Sequence, residues 1–213
     1  MAINQTAELV KQWAEFEQNH PNANIEDFCR YHLINTREKQ NREGFLGGNI
    51  PPGRDQMLIK LMGRVTSMFL IFAEHDLKEI GIDQMLEFQY LNTIQNMKLP
   101  KKTEVINDSF TELSTGLLMI DRLKKKGWVL EHADKTDKRS KRLELSPAGI
   151  EVLYNCYMKL ESICSIFFKD LPPDDVNLVV QLLTPIEIQH SKHWQKNRAN
   201  GFKDMYAKGW GQI

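Results

Sequence analysis

Apolar residues recur in the first part of the chain at the spacing of amphipathic α-helices. Residues 3–19 form the first such pattern, and its apolar face consists of Ala7, Val10, Trp13 and Phe16. Asn24 can cap a second short helix, in which Ile25, Phe28, Tyr31 and His32 lie near helical spacing. The segment from Arg42 to Asp55 then holds four glycines and two prolines, which predicts a loop. We therefore expect residues 1–53 to form a helical extension that ends in this loop.

A longer apolar stripe predicts a helix from about Gln56 to Glu79. Its face consists of Leu58, Leu61, Met62, Val65, Phe69 and Phe72. Gly81 can end this helix in a left-handed conformation, and Asp83 can cap the next one, which stops at Pro100. We assign residues 54–82 to a first support helix.

Two short helices followed by a hairpin are predicted between residues 101 and 146. The second helix runs from about Leu113 to Lys126, and its last turn holds three lysines, which suit the negative end of the helix dipole. Gly127 can cap it. Two short alternating runs follow, with Trp128 and Leu130 on one side of the first strand and Leu143 and Leu145 on the second strand. A hairpin directly after such a helix pair is typical of the wing of a winged helix-turn-helix, here residues 83–149.

The remaining chain, residues 150–213, predicts two further helices and a tail. Ser146 and Pro147 form a helix start, with serine as the cap and proline in the first helical position. The apolar face of this helix consists of Ile150, Leu153, Tyr157, Leu160, Cys164 and Phe167. The last helix begins near Asp174, and Pro185 should end or kink it. The fold class is therefore mainly α, with a small β-hairpin and long terminal helices whose broad apolar faces exceed what the winged helix can cover.

Composition and short motifs argue against a membrane protein, a secreted disulfide-linked protein and an enzyme. The 213 residues lack an apolar run of eighteen, so we expect no membrane span. The first residues lack the apolar core of a signal peptide, and three cysteines argue against a disulfide framework. We therefore expect a cytoplasmic protein without a cofactor. No zinc, Rossmann or Walker motif is present, and this argues against an enzyme.

The charge is distributed unevenly although 28 basic and 28 acidic residues cancel in the total. Between Arg122 and Arg142 nine residues are basic and three are acidic, whereas residues 1–53 hold five basic and seven acidic residues. A cationic patch of this kind can bind a polyanion, although most lysine-rich stretches are simply solvated surface.

The segment from Asp121 to Leu153 resembles the MarR family of bacterial transcriptional regulators. The matching residues are Asp121, Arg122, Leu123, Gly127, Asp137, Arg139, Leu145, Ser146 and Gly149. Residues 80–91 are similar to the entry into the family's second helix, and the resemblance extends over about 54–194. It implies a winged-helix homodimer that binds double-stranded DNA, with a dimerisation region formed by the long terminal helices in residues 54–82 and 150–213.

This resemblance and the cationic patch together give a set of expected DNA contacts on the second helix and the wing. These residues are Ser114, Thr115, Leu117, Leu118, Arg122, Lys124, Lys125, Lys135, Asp137, Lys138, Arg139, Lys141 and Arg142. Asp137 should pair with Arg139 and orient its guanidinium, the alternative being a surface pair of little energetic value.

The chain departs from the family pattern in the recognition helix. Family members commonly have a polar residue and an arginine where this chain has Leu117 and Leu118, and Gly116 replaces a branched core residue. If Gly116 faces inward, the two leucines face the groove and can contact thymine methyl groups. Alternatively the helix is rotated and Leu117 joins the core.

The resemblance further implies a pseudo-palindromic DNA site, read by two recognition helices roughly 34 Å apart. It also implies a small aromatic or lipophilic effector, for which the candidate lining residues are Arg64, Met68, Phe72, His75 and Trp128. A methionine and aromatic stripe is, however, usually core. Repression relieved by a ligand is the leading hypothesis.

Two alternatives remain open from the sequence. The first is a redox-responsive regulator that acts through Cys29, which has Arg30 and His32 close by in sequence. Cys156 and Cys164 are expected to be buried. The second is a winged-helix module that binds proteins, which the Leu117–Leu118 pair would suit. His190 and His193 lack a third ligand in sequence, so no metal site is expected.

Overall fold

The computed structural model describes residues 4–40, 53–134 and 140–197. The chain divides into two compact units, Met1–Lys60 and Leu61–Ile213, so the division falls inside the third helix. The helices are α1 (Gln5–Asn19), α2 (Ile25–Gln40), α3 (Arg54–Leu77), α4 (Met85–Met97), α5 (Lys102–Asp108), α6 (Leu113–Lys125), α7 (Pro147–Phe167) and α8 (Pro173–Asn197). The strands are β1 (Val129–Ala133) and β2 (Lys141–Leu145). The predicted order of elements and the mainly α class are confirmed.

The first unit is organised by aromatic contacts between α1 and α2. Phe16 and Phe28 are buried, and the ring of Trp13 lies edge-on to Phe28 with 5.2 Å between the centroids. Asn24 and Asp27 cap α2 reciprocally, because each side chain accepts a hydrogen bond from the other residue's backbone N–H. The predicted cap at Asn24 is thus present, and α2 is longer than expected.

The core of the second unit lies between α4, α5, α6, α7 and the hairpin. Its fully buried side chains are Leu77, Ile82, Tyr90, Leu91, Val105, Ile120, Leu123, Leu143 and Cys156. Helix α3 contributes only its end, since Ala73 and Leu77 are buried whereas Met62, Val65 and Phe72 are exposed. The predicted apolar face of α3 exists, but most of it is not covered within the chain.

The stretch Arg54–Ile80 is long and apolar enough to cross a membrane by length and composition alone. Only 6% of its most apolar window is buried.

The hairpin has one buried face and one exposed face. Val129 pairs with Leu145 and Glu131 pairs with Leu143 in the antiparallel ladder. Because side chains alternate across a strand, Val129 lies on the buried face and Leu130 is 43% exposed. Val129 rather than Leu130 is therefore the buried apolar residue of β1, and Trp128 is half-buried, with its ring near Gly81.

The helix boundaries confirm the predicted glycine turns and correct the predicted cap of α4. Gly81 and Gly127 have φ angles of +84° and +74°, as their positions after α3 and α6 require. Asp83 does not cap α4: the cap position is Gln84, and its side chain makes no capping bond. Pro185 lies inside α8 and does not end it.

Candidate nucleic-acid interface

Close packing at Gly116 fixes the orientation of α6. A Cβ atom at this position would lie 2.7 Å from the Tyr90 Oη and closer still to Ile106. Tyr90 is fully buried and its hydroxyl is hydrogen-bonded to Thr111, so it has little freedom to move. Glycine therefore lets α6 approach α4 and α5 closely, and the side of α6 that carries Gly116 faces the core.

The opposite side of α6 is exposed to solvent. Leu118 is 72% exposed and Leu117 is 38% exposed, while Met119 and Ile120 are buried. Ser114, Thr115 and Lys125 are also exposed. Of the two orientations that the sequence left open, the structure has the one that keeps Leu117 out of the core.

Arg122 does not extend freely from α6, because two carboxylates of the α3–α4 region hold it. Its Nη2 lies 2.6 Å from Asp83 and its Nε lies 2.9 Å from Glu87, which is fully buried. Lys126 joins the same cluster, with its Nζ 2.8 Å from both Asp83 and Glu87. Hydrogen bonds from Lys126 and then Arg122 lower the pKa of Asp83. The cluster fastens the end of α6 to the start of α4.

This cluster was missed by the sequence reasoning, although a signal was present. Asp83 and Glu87 are four residues apart, as are Arg122 and Lys126. Residues at this spacing lie on one helical face, so two acids and two bases can meet across a helix–helix contact. Lys126 also lies over the Trp128 ring, 4.7 Å from its centroid.

Glu131 on β1 connects the wing to two helices. It accepts a hydrogen bond from Lys124 and lies 3.1 Å from Lys102. The hydrogen bond from Lys124 is the main reason that the pKa of Glu131 is lowered. Lys124 is therefore half-buried in an ion pair at the base of the wing.

Arg142 is bonded within the chain as well. Its Nε lies 2.6 Å from the carboxylate of Asp134, and its Nη1 donates to the Leu99 carbonyl at 2.9 Å. Lys141, its neighbour on β2, is exposed. Four further predicted contacts, Lys135, Asp137, Lys138 and Arg139, lie outside the described residues. The structure thus brings together an exposed α6 face, Lys125 and the wing, while Arg122, Lys124 and Arg142 contact carboxylates.

Several known structures are similar in fold, whereas no protein-family model and no curated protein matches the chain. MarR from E. coli in its apo form has a TM-score of 0.54 at 24% identity, covering 65% of this chain and 97% of that chain. A mutant E. coli MarR in complex with operator DNA has a TM-score of 0.56 at 23% identity, covering 61% and 92%. A MarR family regulator from Rhodococcus sp. RHA1 reaches 0.58 at 18% identity, covering 64% and 96%.

The fold is that of the MarR regulators. The predicted winged helix-turn-helix is therefore confirmed. Since the matches cover about two thirds of this chain and nearly all of the MarR chains, this chain is longer than the MarR structures that it matches.

One candidate effector residue of the MarR-like unit lies at a pocket. Phe72 lines a cavity of about 320 Å³ together with Asp76, Ile163, Ile166 and Phe167. Arg64, Met68 and His75 are exposed on α3 but do not line this cavity, and Trp128 packs near Gly81. The five predicted residues are thus not brought together at this cavity.

The cysteines differ in accessibility. Cys156 is buried, and burial raises the pKa of its thiol to about 11, whereas Cys29 and Cys164 are exposed. The expectation that Cys164 is buried is wrong, because only the Cys156 side of α7 faces the core. Among the described residues, no group of three or more histidine, cysteine or acidic side chains is placed to hold a metal ion.

Proposed function

We propose that this protein is a transcriptional regulator that binds a specific double-stranded DNA site. The observation that carries the proposal is the exposed face of α6, from Ser114 to Lys125, beside the β1–β2 wing. A recognition helix with a free face and an adjacent hairpin can enter the major groove while the hairpin reaches the backbone. The operator-bound MarR structure of the same fold supports this assignment. The resemblance to named regulators also argues against an enzyme, and a regulator that binds DNA is expected in the cytoplasm.

The deciding experiment selects bound duplexes from a random pool and measures their affinity over a series of salt concentrations. We expect a pseudo-palindromic site, and log affinity should fall linearly with log salt because phosphate contacts release counterions. Lys125→Ala should reduce the slope by about 0.9 for each phosphate that Lys125 neutralises, or about twice that in a dimer. Lys169→Ala, an exposed lysine outside α6 and the wing, is the matched control. Absence of duplex binding at low salt would reject the function.

The wing tip belongs to this proposal. Lys135, Lys138 and Arg139 are expected to contact phosphates or the minor groove, with Asp137 orienting Arg139. Arg139→Ala should weaken binding to the selected site, whereas Asp137→Ala should weaken it less because the arginine remains.

A homodimer formed by the terminal helices is part of the same proposal. Exposed apolar side chains occur on each of the long helices, among them Met68 and Ile71 on α3, Ile166 on α7 and Leu182 on α8. Apolar surface of this extent marks an interaction site. Sedimentation equilibrium should give twice the chain mass, and Ile71→Glu should shift the equilibrium to monomer.

Control by a small apolar effector is proposed from the cavity at Phe72. Its lining is aromatic and aliphatic except for Asp76, which suits an aromatic or lipophilic ligand. A panel of aromatic acids and amines should include compounds that release the DNA, and Phe72→Ala should change the concentration required. If peroxide instead releases DNA from the wild type but not from Cys29→Ser, the redox alternative is correct.

A further inference from the structure

The exposed side chains at the start of α6 are of an unusual kind for reading DNA. Recognition helices contact base edges mainly through their N-terminal residues. In residues 113–118, Leu113 and Leu118 are 53% and 72% exposed, and Ser114 and Thr115 are exposed beside them. This segment contains none of the arginine, lysine, asparagine or glutamine side chains that form paired hydrogen bonds with guanine or adenine.

Arg122, the first arginine on α6, forms ion pairs with carboxylates of the same chain. Asp83 and Glu87 hold its guanidinium at 2.6 and 2.9 Å, and Glu87 is fully buried. Turning Arg122 toward a base would leave a buried carboxylate short of one of its cationic partners, which carries a large energetic penalty. Arg122 therefore stays in its ion pairs with Asp83 and Glu87 and does not contact guanine.

We propose that this chain reads its DNA site mainly through the C5-methyl group of thymine, which Leu118 contacts in each half-site with Leu117 beside it. The inference rests on the proposed function and names the feature of the DNA that gives it specificity. Thymine is the base that presents a methyl group in the major groove of unmodified DNA, and apolar side chains recognise it there.

The geometry of α6 favours this contact over burial of the leucines elsewhere in the chain. The space at Gly116 beside Tyr90 and Ile106 is too small for a Cβ atom, so this side of α6 faces the core and Leu118 stays on the exposed side. Lys125 is seven residues after Leu118, on the same helical face, where it can bind a phosphate as Leu118 enters the groove. Asp121 shares this face, with its carboxylate 3.9 Å from the Nζ of Lys124.

The test uses the duplex selected above and replaces each thymine in turn by uracil, which removes only the methyl group. At one or more positions in each half-site, affinity should fall about fourfold, the value for one apolar carbon leaving a buried contact. Replacing the symmetric pair should lower it about fifteenfold. Hydrogen bonding to the base pair is unchanged, so the loss reports the methyl group alone.

The protein side of the test is a cycle with Leu118→Ala. This variant should bind the thymine and uracil duplexes with nearly equal affinity, because the partner of the methyl group is gone. Leu171→Ala, an exposed leucine between α7 and α8, should keep the full thymine preference. Leu118 lies on the surface, so its replacement should leave the unfolding transition in place.

Each outcome of this test decides between the two proposals. Duplex binding with equal affinity for thymine and uracil sites overturns the methyl readout and leaves the proposed function intact. A thymine preference that persists in Leu118→Ala also overturns it. If no duplex is selected at all, the proposed function fails and this inference with it, which favours the protein-binding alternative for the Leu117–Leu118 surface.

Discussion

Gly149, in the first turn of α7, lies directly against the backbone carbonyl of Trp128. A Cβ atom at Gly149 would overlap the Trp128 carbonyl oxygen, which accepts a hydrogen bond from the Ser146 N–H at 2.9 Å. Ser146 in turn donates from its Oγ to the Gly127 carbonyl and accepts from the Gly149 N–H. These bonds join the end of α6, the start of β1 and the cap of α7 at one point.

Gly149→Ala should therefore lower the free energy of unfolding by about 2 kcal/mol or more, because backbone on both sides must move. The measurement is urea denaturation followed by circular dichroism. Ala148→Gly, at the exposed neighbouring position, is the control and should cost about 1 kcal/mol or less. Equal losses in the two variants would show that the packing at Trp128 is not tight.

Removal of the Arg142 side chain should destabilise the chain in the absence of DNA. Asp134 is 5% exposed, and its carboxylate would lose the guanidinium that lies 2.6 Å away. The Leu99 carbonyl would lose its side-chain donor as well. We expect Arg142→Ala to cost about 2 kcal/mol in urea unfolding. Lys141→Ala, on the same strand but exposed, should change stability by less than about 0.5 kcal/mol.

Glu131 should make stability depend on acid pH. The Lys124 hydrogen bond lowers its pKa below the ordinary value of 4.5, so the folded state favours the ionised form. The stabilisation is present above pH 4.5 and is lost as the pH falls through the folded-state pKa. Glu131→Gln should be less stable than the wild type at pH 7, and the difference should narrow toward pH 3. Glu151→Gln, on the exposed side of α7, should keep the wild-type pH profile.

The three thiols should react at different rates with iodoacetamide. Cys29 and Cys164 are exposed, whereas Cys156 is buried and has a pKa of about 11, so its thiolate is scarce at pH 8. Peptide mass spectrometry should detect modification of the first two in the native protein and of all three in urea. Fast native labelling of Cys156 would contradict the packing of α7 on the core.

Replacing Glu87 should test the cluster at the end of α6. Glu87→Gln leaves Arg122 and Lys126 without their buried counter-charge, and we expect a loss of about 3 kcal/mol in unfolding free energy. The matched control is Glu112→Gln, at the exposed cap position of α6, which should change stability by less than about 0.5 kcal/mol. An unchanged free energy of unfolding for Glu87→Gln would mean that the charge of Glu87 stabilises Arg122 and Lys126 no more than water does.

Several features were predictable from local sequence because they depend on neighbouring residues alone. The helical periodicity of Leu153 and Leu160, the glycine turns at 81 and 127 and the Ser146–Pro147 helix start are of this kind. Which residue of β1 is buried could not be predicted in this way. Val129 and Leu130 are both apolar, and only the pairing of Val129 with Leu145 decides between them.

Partners that are distant in sequence account for the remaining differences. Aspartate is a residue type that favours helix caps, so the sequence suggested that role for Asp83. Its actual partners, Arg122 and Lys126, come within ion-pair distance only after α6 packs on α4. The sequence by itself determined the order of the helices, the hairpin and the clustering of positive charge, because periodicity and charge are properties of neighbouring residues. Only the tertiary structure decided which basic side chains form ion pairs with carboxylates and which leucines of α6 are exposed to solvent. Those outcomes depend on how closely two helices approach, and Gly116 sets that approach through contacts with residues far away in the chain.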